Sequence, residues 1–393
     1  MLIYIFFVTL ALAIILKNKI KSRRLKDNKQ RTFNSLAKHY GYCFVLWSFF
    51  ALIAINLTPL SGIVKYLAII IFFAFNFWIL NYLHNKNFNA KKHIENSGEL
   101  VLSITAGIGI LITIIITASI LFEALRFFQK IPVANFLFGL EWNPQISIYK
   151  EQTTGKGAFG FIPVLLGTLL ITVIAMSIAI PLGIMGAIYL CLYAKNNVRD
   201  AVKPILEILA GVPTVVYGYF AVTTIGPFFK NSFSLIGVNI AGESALTAGF
   251  VMGIMIIPFI LSLTDDALKA VPQSLQDGAL AMGSTKSEMI KKVALPAATP
   301  SIVGAVILAI SRAIGETMIV VMAAGLIANL TINPLNSVTT ATAQIVTLLV
   351  GDQEFDSPKT LAAFALALTL FVITFIFNIV ALSVIKNYKK KYG

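Results

Sequence analysis

Arg312 and Glu316 stand four residues apart in SRAIGETM, residues 311–318, between the apolar runs GAVILAI and IVVMAAG. On one continuous helix that spacing sets both side chains on the same face, a single turn apart. Counted from Ser301, Arg312 lies about 16 Å into its apolar run, close to a bilayer midplane. A charge there costs about 2.5 to 3.5 kcal/mol on insertion scales, so such residues mark a pathway or a pair. The guanidinium is a planar fork that matches two oxygens of an oxyanion and keeps its charge at any working pH. Glu316 would orient that fork and accept a proton from an oxyanion that still carries one. The alternative is an internal ion pair pinning the helix to its neighbours, with Arg before Glu in the less favourable order. Thr317 follows directly, and in LAGVPTVVYGYF the residues Thr214 and Tyr217 offer hydroxyls beside the helix-breaking Gly211 and Pro213. Such breaks are tolerated at membrane depth where they line a cavity or pack on a neighbour. Small residues at a crowded helix crossing explain Gly211 and Gly218 equally well.

Charges so placed need apolar helices around them. The chain of 393 residues is 58% hydrophobic and 12% charged, with a mean hydropathy of +0.85, far from soluble domains. The stretches 2–16, 42–57, 63–83, 101–122, 161–194, 205–228, 244–264, 301–325 and 360–385 reach or approach the length of about 20 apolar residues that crosses a bilayer. The expected fold is therefore all-α, a polytopic transmembrane bundle of about nine spans. Pro181 with Gly183 is expected to kink the long stretch 161–194 without splitting it. The basic cluster KNKIKSRRLK follows the first apolar run instead of preceding it, which reads as a retained anchor.

The net charge of +14 does not call for a nucleic-acid partner. Of the 31 Lys and Arg residues, 23 fall in segments 17–41, 84–100, 195–204, 265–300 and the tail from 386. By the positive-inside rule these segments are cytoplasmic, which puts the amino terminus outside and the carboxyl terminus inside. Cys43 and Cys191 lie in apolar runs and His39, His84 and His93 are scattered, so neither a metal site nor a disulfide framework is expected. There is no G-x-x-x-x-G-K-[ST], and no cofactor is expected. The segment 123–160 is long enough for an outward lid or docking ledge.

The inward loop 265–300 contains SLQDGALAMGSTKSEMIKKVALPAATP. It resembles the EAA loop of ABC importer permeases: E-A-A, three residues, Gly, nine residues, Ile, one residue, Leu-Pro. Asp277, Gly278 and Ala279 stand at the E-A-A positions, Gly283 at the Gly, Val293 at the Ile, and Leu295 with Pro296 at the Leu-Pro. Every spacing is kept. Asp for Glu and Val for Ile are mild departures, whereas Gly278 should weaken a helix by about 1 kcal/mol. A short helix, a Gly turn and a second helix make a rigid knob that seats in a partner's groove and carries its motion into the spans.

LAGVPTVVYGYF, LLGTLLITVIAMSIAIPLGIMGAIYL and SRAIGETMIVVMAAG together resemble the PstC-type permease subunits of phosphate ABC importers, over about residues 95 to 390. The resemblance implies a six-span type I permease core over 96–393, behind an extension at 1–95 with three further spans. That extension reads as a peripheral bundle or an insertion aid. It also implies inorganic phosphate as substrate, the bacterial inner membrane and its lipid as surroundings, and no enzymatic activity in this chain. The implied partners are a PstA-like second permease, a PstB-like ATPase dimer coupled through the loop, and a PstS-like phosphate-binding protein. Sulfate or molybdate as cargo, and a self-sufficient proton-coupled carrier, are the competing readings.

Overall fold

The computed structural model describes residues 90–144, 157–350 and 356–392, with Ile14, Tyr42, Val45, Ala74 and Phe75 as isolated positions. The spans expected at 2–16, 42–57 and 63–83 therefore lie outside the described residues. Among the described residues five helices are long and apolar enough to cross a membrane, or six if a pair bent by 88° forms one span. The chain divides into two compact units, residues 1–115 and 116–393.

In chain order, α1 (Ala90–Lys130) and α2 (Val133–Phe138) precede a short antiparallel pair, β1 (Trp142–Asn143) with β2 (Ala158–Phe159). Then come α3 (Ile162–Ile188), a π turn at Tyr189–Tyr193, α4 (Asn196–Gly211), α5 (Thr214–Phe220), a π turn at Ala221–Ile225 and α6 (Gly226–Ser234). They are followed by α7 (Ala245–Lys269), α8 (Gln273–Ala281), α9 (Lys286–Met289), a π turn at Ile290–Ala294 and α10 (Leu295–Ile314). The last elements are α11 (Met318–Ala323), α12 (Ala341–Leu349) and α13 (Pro358–Tyr392).

The second unit is built on α3 against α7. Lipid tails are as apolar as Leu, so helices associate in a bilayer through close packing more than through the hydrophobic effect. Glycines permit that approach here: a β-carbon at Gly249 would lie 2.7 Å from Ile174 Cγ2, and one at Gly253 would lie 2.9 Å from the Ala175 carbonyl oxygen. Buried Ile171, Ala175, Met252, Ile256 and Ile260 belong to the core at this seam. Helix α3 runs through Pro181 in one piece, as the sequence predicts. Helix α10 packs on α7 and on α13.

The described part of 123–160 folds back on an aromatic core. Phe127 meets Phe136 and Phe159 edge to face at 5.4 and 5.6 Å, and Trp142 meets Phe159 at 6.1 Å. The Trp142 indole N–H donates to Gln344 Oε1 at 2.8 Å, so this buried amphipathic ring finds the partner it needs.

Candidate functional site

The run 301–325, expected as one helix, is broken. Helix α10 ends at Ile314, and α11 starts again at Met318. An i, i+4 pair needs an unbroken turn, and among the described residues Arg312 and Glu316 form no ion pair. Arg312 is exposed and lies over the Phe259 ring, its guanidinium carbon 5.4 Å from the centroid. The stacking leaves the edges of the planar fork with no carboxylate. Glu316 is half-buried and serves the break instead: its Oε1 accepts the Met318 N–H at 3.2 Å, and its carbonyl accepts the Thr342 hydroxyl at 2.7 Å. These bonds satisfy backbone groups that the interrupted helix leaves open. Thr317, half-buried, donates to the Gly315 carbonyl at 3.4 Å.

A second break falls at Val212–Pro213, where the stretch 205–228 was expected as one span. Pro213 has no N–H and disfavours helical backbone in the residue before it, and Val212 is extended. The two halves, Asn196–Gly211 and Thr214–Ser234, are bent by 88°. The Tyr217 hydroxyl donates to the Leu209 carbonyl at 2.9 Å, so it closes the break. Thr214, half-buried, opens α5. Helix α5 then lies tightly on α11: a β-carbon on buried Gly218 would come within 2.8 Å of Met322 Sδ and 3.2 Å of the Met318 carbonyl. The fold thus packs the halves that follow the two breaks against each other, with Thr214 and Tyr217 on one and Thr317 with Glu316 at the head of the other.

The EAA-like loop is shorter than the expected 265–300, because α7 continues to Lys269 and α10 starts at Leu295. Asp277, Gly278 and Ala279 lie on α8, the first two exposed. Gly283 turns the chain with φ +85°, a left-handed value that suits glycine. Its N–H donates to the Leu280 carbonyl at 3.0 Å, and that of Ser284 donates to the Ala279 carbonyl at 3.3 Å, closing α8. A capping box then starts α9, with Thr285 and Glu288 each accepting the other's backbone N–H. Val293 lies in the π turn, and Leu295 and Pro296 open α10. Ala279 and Leu295 pack with Met289, Ile290 and Ala294 against Ile188 and Leu192. Leu275, Leu280 and Met282 remain exposed on the knob.

One group escapes the sequence reading. The Asp265 side chain is 4% exposed and meets Arg199 Nη2 at 2.8 Å, Lys203 Nζ at 3.5 Å and the Lys269 ammonium. In the sequence, Arg199, Lys203 and Lys269 read only as orienting charges. Their i, i+4 spacings, 199 with 203 and 265 with 269, are the local signal, but the pairing between α4 and α7 is visible only in three dimensions. Beside the cluster is a cavity of about 190 Å³ whose walls include Leu206, Ala210, Pro258 and Phe259.

Apolar helices of spanning length, a bent helix pair whose second half packs on the segment after the 315–317 break, and a capped knob between helices fit a transport permease. Residues 179–390 match the family of binding-protein-dependent transport system inner membrane components, and the chain belongs to that family, as an ABC transporter permease. A probable ABC transporter permease protein of Bacillus subtilis, YqgH, is 33% identical over 288 residues, 72% of this chain and 88% of its own length. The phosphate transport system permease protein PstC 1 of Mycobacterium bovis is 32% identical over 64% of this chain and 82% of its own. PstC of Mesorhizobium japonicum is 32% identical over 63% and 76% respectively. A solved inward-facing MetNI methionine ABC transporter aligns with a TM-score of 0.43 at 18% identity, covering 58% of this chain and 94% of its own.

Proposed function

We propose that the chain is the PstC-like subunit of an ATP-driven importer of inorganic phosphate, and that it forms half of the translocation pathway. It sits in the bacterial cytoplasmic membrane with its amino terminus outside. It works with a PstA-like second permease, a PstB-like ATPase dimer that takes the knob at 270–294, and a PstS-like phosphate-binding protein. The observation that carries this reading is Arg312: an exposed guanidinium in an otherwise apolar run, unpaired among the described residues, next to the break at 315–317. A fork left free at its edges receives two phosphate oxygens and releases them again, as a pathway site must. Glu316, Thr317 and Thr214 line the path beside it, and Tyr217 holds the break in shape. The names of the PstC relatives support phosphate as cargo.

Uptake of radiolabelled phosphate into proteoliposomes holding the four-component importer tests the proposal. Uptake should require ATP, the ATPase and the binding protein, and Arg312→Gln should abolish most of it while Arg312→Lys retains part. Uptake by this chain alone under a proton gradient would establish a secondary carrier instead. Preference for sulfate or molybdate would establish another oxyanion as cargo. Wild-type phosphate flux in Arg312→Gln would remove Arg312 from the pathway.

A further inference from the structure

We propose that Asp265 is a positioning residue that couples motion of the 270–294 knob to the broken span α4–α5, through its ion pairs with Arg199, Lys203 and Lys269. The inference rests on the proposed function above. Asp265 lies one turn from the end of α7, directly before the knob. Two of its three cations, Arg199 and Lys203, come from α4. Parting α7 from α4 leaves this carboxylate, 4% exposed, with Lys269 alone of its three cations and strips Arg199 and Lys203 of their shared partner, which carries a cost at a buried charge. The end of α7 and the body of α4 therefore move together.

The rest of the path is laid out by contacts already described. Helix α4 ends at the break, where Tyr217 ties α5 to the Leu209 carbonyl, and α5 rests on α11 through Gly218. The cavity of about 190 Å³ beside the cluster gives α4 room to rock about the Asp265 contacts. Phe259 in its wall is the ring that carries Arg312, so displacement of α4 changes the surroundings of the pathway cation. The local charge fits a strut better than an anion station. Glu207 of α4 lines the same cavity, and exposed Asp266 follows Asp265, so three carboxylates balance Arg199, Lys203 and Lys269.

The test is the ratio of phosphate imported to ATP hydrolysed by the reconstituted importer. Asp265→Asn should leave ATP hydrolysis running while phosphate moved per ATP falls about 2- to 30-fold, the range over which coupling residues act. A cluster with a merely structural role would lower the amount of assembled importer, which the ratio does not register. Should Asp265→Asn fail to assemble, the double variant Arg199→Gln, Lys203→Gln keeps Lys269 on Asp265 but cuts the link to α4. The same fall is expected there, and a wild-type ratio in that variant overturns the strut. A wild-type importer with no ATP-driven phosphate uptake overturns the proposed function and this inference with it. Wild-type uptake with an unchanged ratio in the variants overturns the strut alone.

Discussion

Gly283→Ala is the cleanest perturbation the knob offers. Gly283 has φ +85°, and a residue with a β-carbon pays about 1 to 2 kcal/mol in the left-handed region. No heavy atom lies within 4 Å of a β-carbon built there, so the cost is conformational, with no clash added. The strain vanishes when the turn opens, so the closed knob loses population against its locally open form by about 5- to 30-fold. Gly278→Ala is the matched control: the position is inside α8, also open to space, and Ala there gains about 1 kcal/mol. Hydrogen exchange of the full chain in lipid nanodiscs, read on peptides spanning 273–289, should speed up by about 5- to 30-fold in Gly283→Ala. It should slow in Gly278→Ala. ATP-driven phosphate uptake should fall in the first variant and hold in the second. Exchange in Gly283→Ala equal to or slower than wild type would refute the account of the knob as a turn held by its glycine.

Glu316→Gln keeps an oxygen for the Met318 N–H but removes the carboxylate proposed to accept a proton. Uptake assays with sulfate as competitor should show weaker discrimination in favour of phosphate, and unchanged selectivity with unchanged flux would sink the proton-sensing role. Tyr217→Phe removes the bond to the Leu209 carbonyl and should cost about 0.5 to 1.5 kcal/mol, seen as a lower melting temperature. The KM for phosphate should stay at the wild-type value. A raised KM without loss of stability would show that the hydroxyl contacts substrate.

What was legible in the sequence was whatever depends on composition and local spacing. Apolar length located the long helices α1, α3, α7, α10 and α13 but not the short α2 and α12, and the kept spacing from Asp277 to Pro296 located a knob whose turn glycine is where the pattern puts it. The breaks were harder to read. Hydropathy averages over residues 301–325 and 205–228 regardless of backbone continuity. A break between apolar helices is made tolerable by groups far away in sequence: Thr342 serves the Glu316 carbonyl across 26 residues. Pro213 advertised one interruption, but nothing as strong marks 315–317. The Asp265 cluster escaped for a related reason. Its 66-residue link to Arg199 leaves no periodic trace, and charge counting assigns the same residues a sufficient role in orienting the chain.

The break at 315–317 also changes what Arg312 can do. On an unbroken helix its charge would be spent on Glu316, and a phosphate would have to displace an intramolecular carboxylate before binding. With Glu316 committed to the Met318 N–H and Arg312 resting on Phe259, the guanidinium keeps its in-plane donors available while the ring supports one face of the cation. Such a cation binds an anion without first losing a salt bridge, and the ring it rests on can be moved by its neighbours. Phe259 sits on α7, five residues before Thr264 and six before Asp265, so the support under Arg312, the proposed pathway cation, and the carboxylate facing α4 belong to one helix. A rigid α7 cannot shift one without the other, which is why selectivity at Arg312 and coupling at Asp265 should respond together to a change in either place.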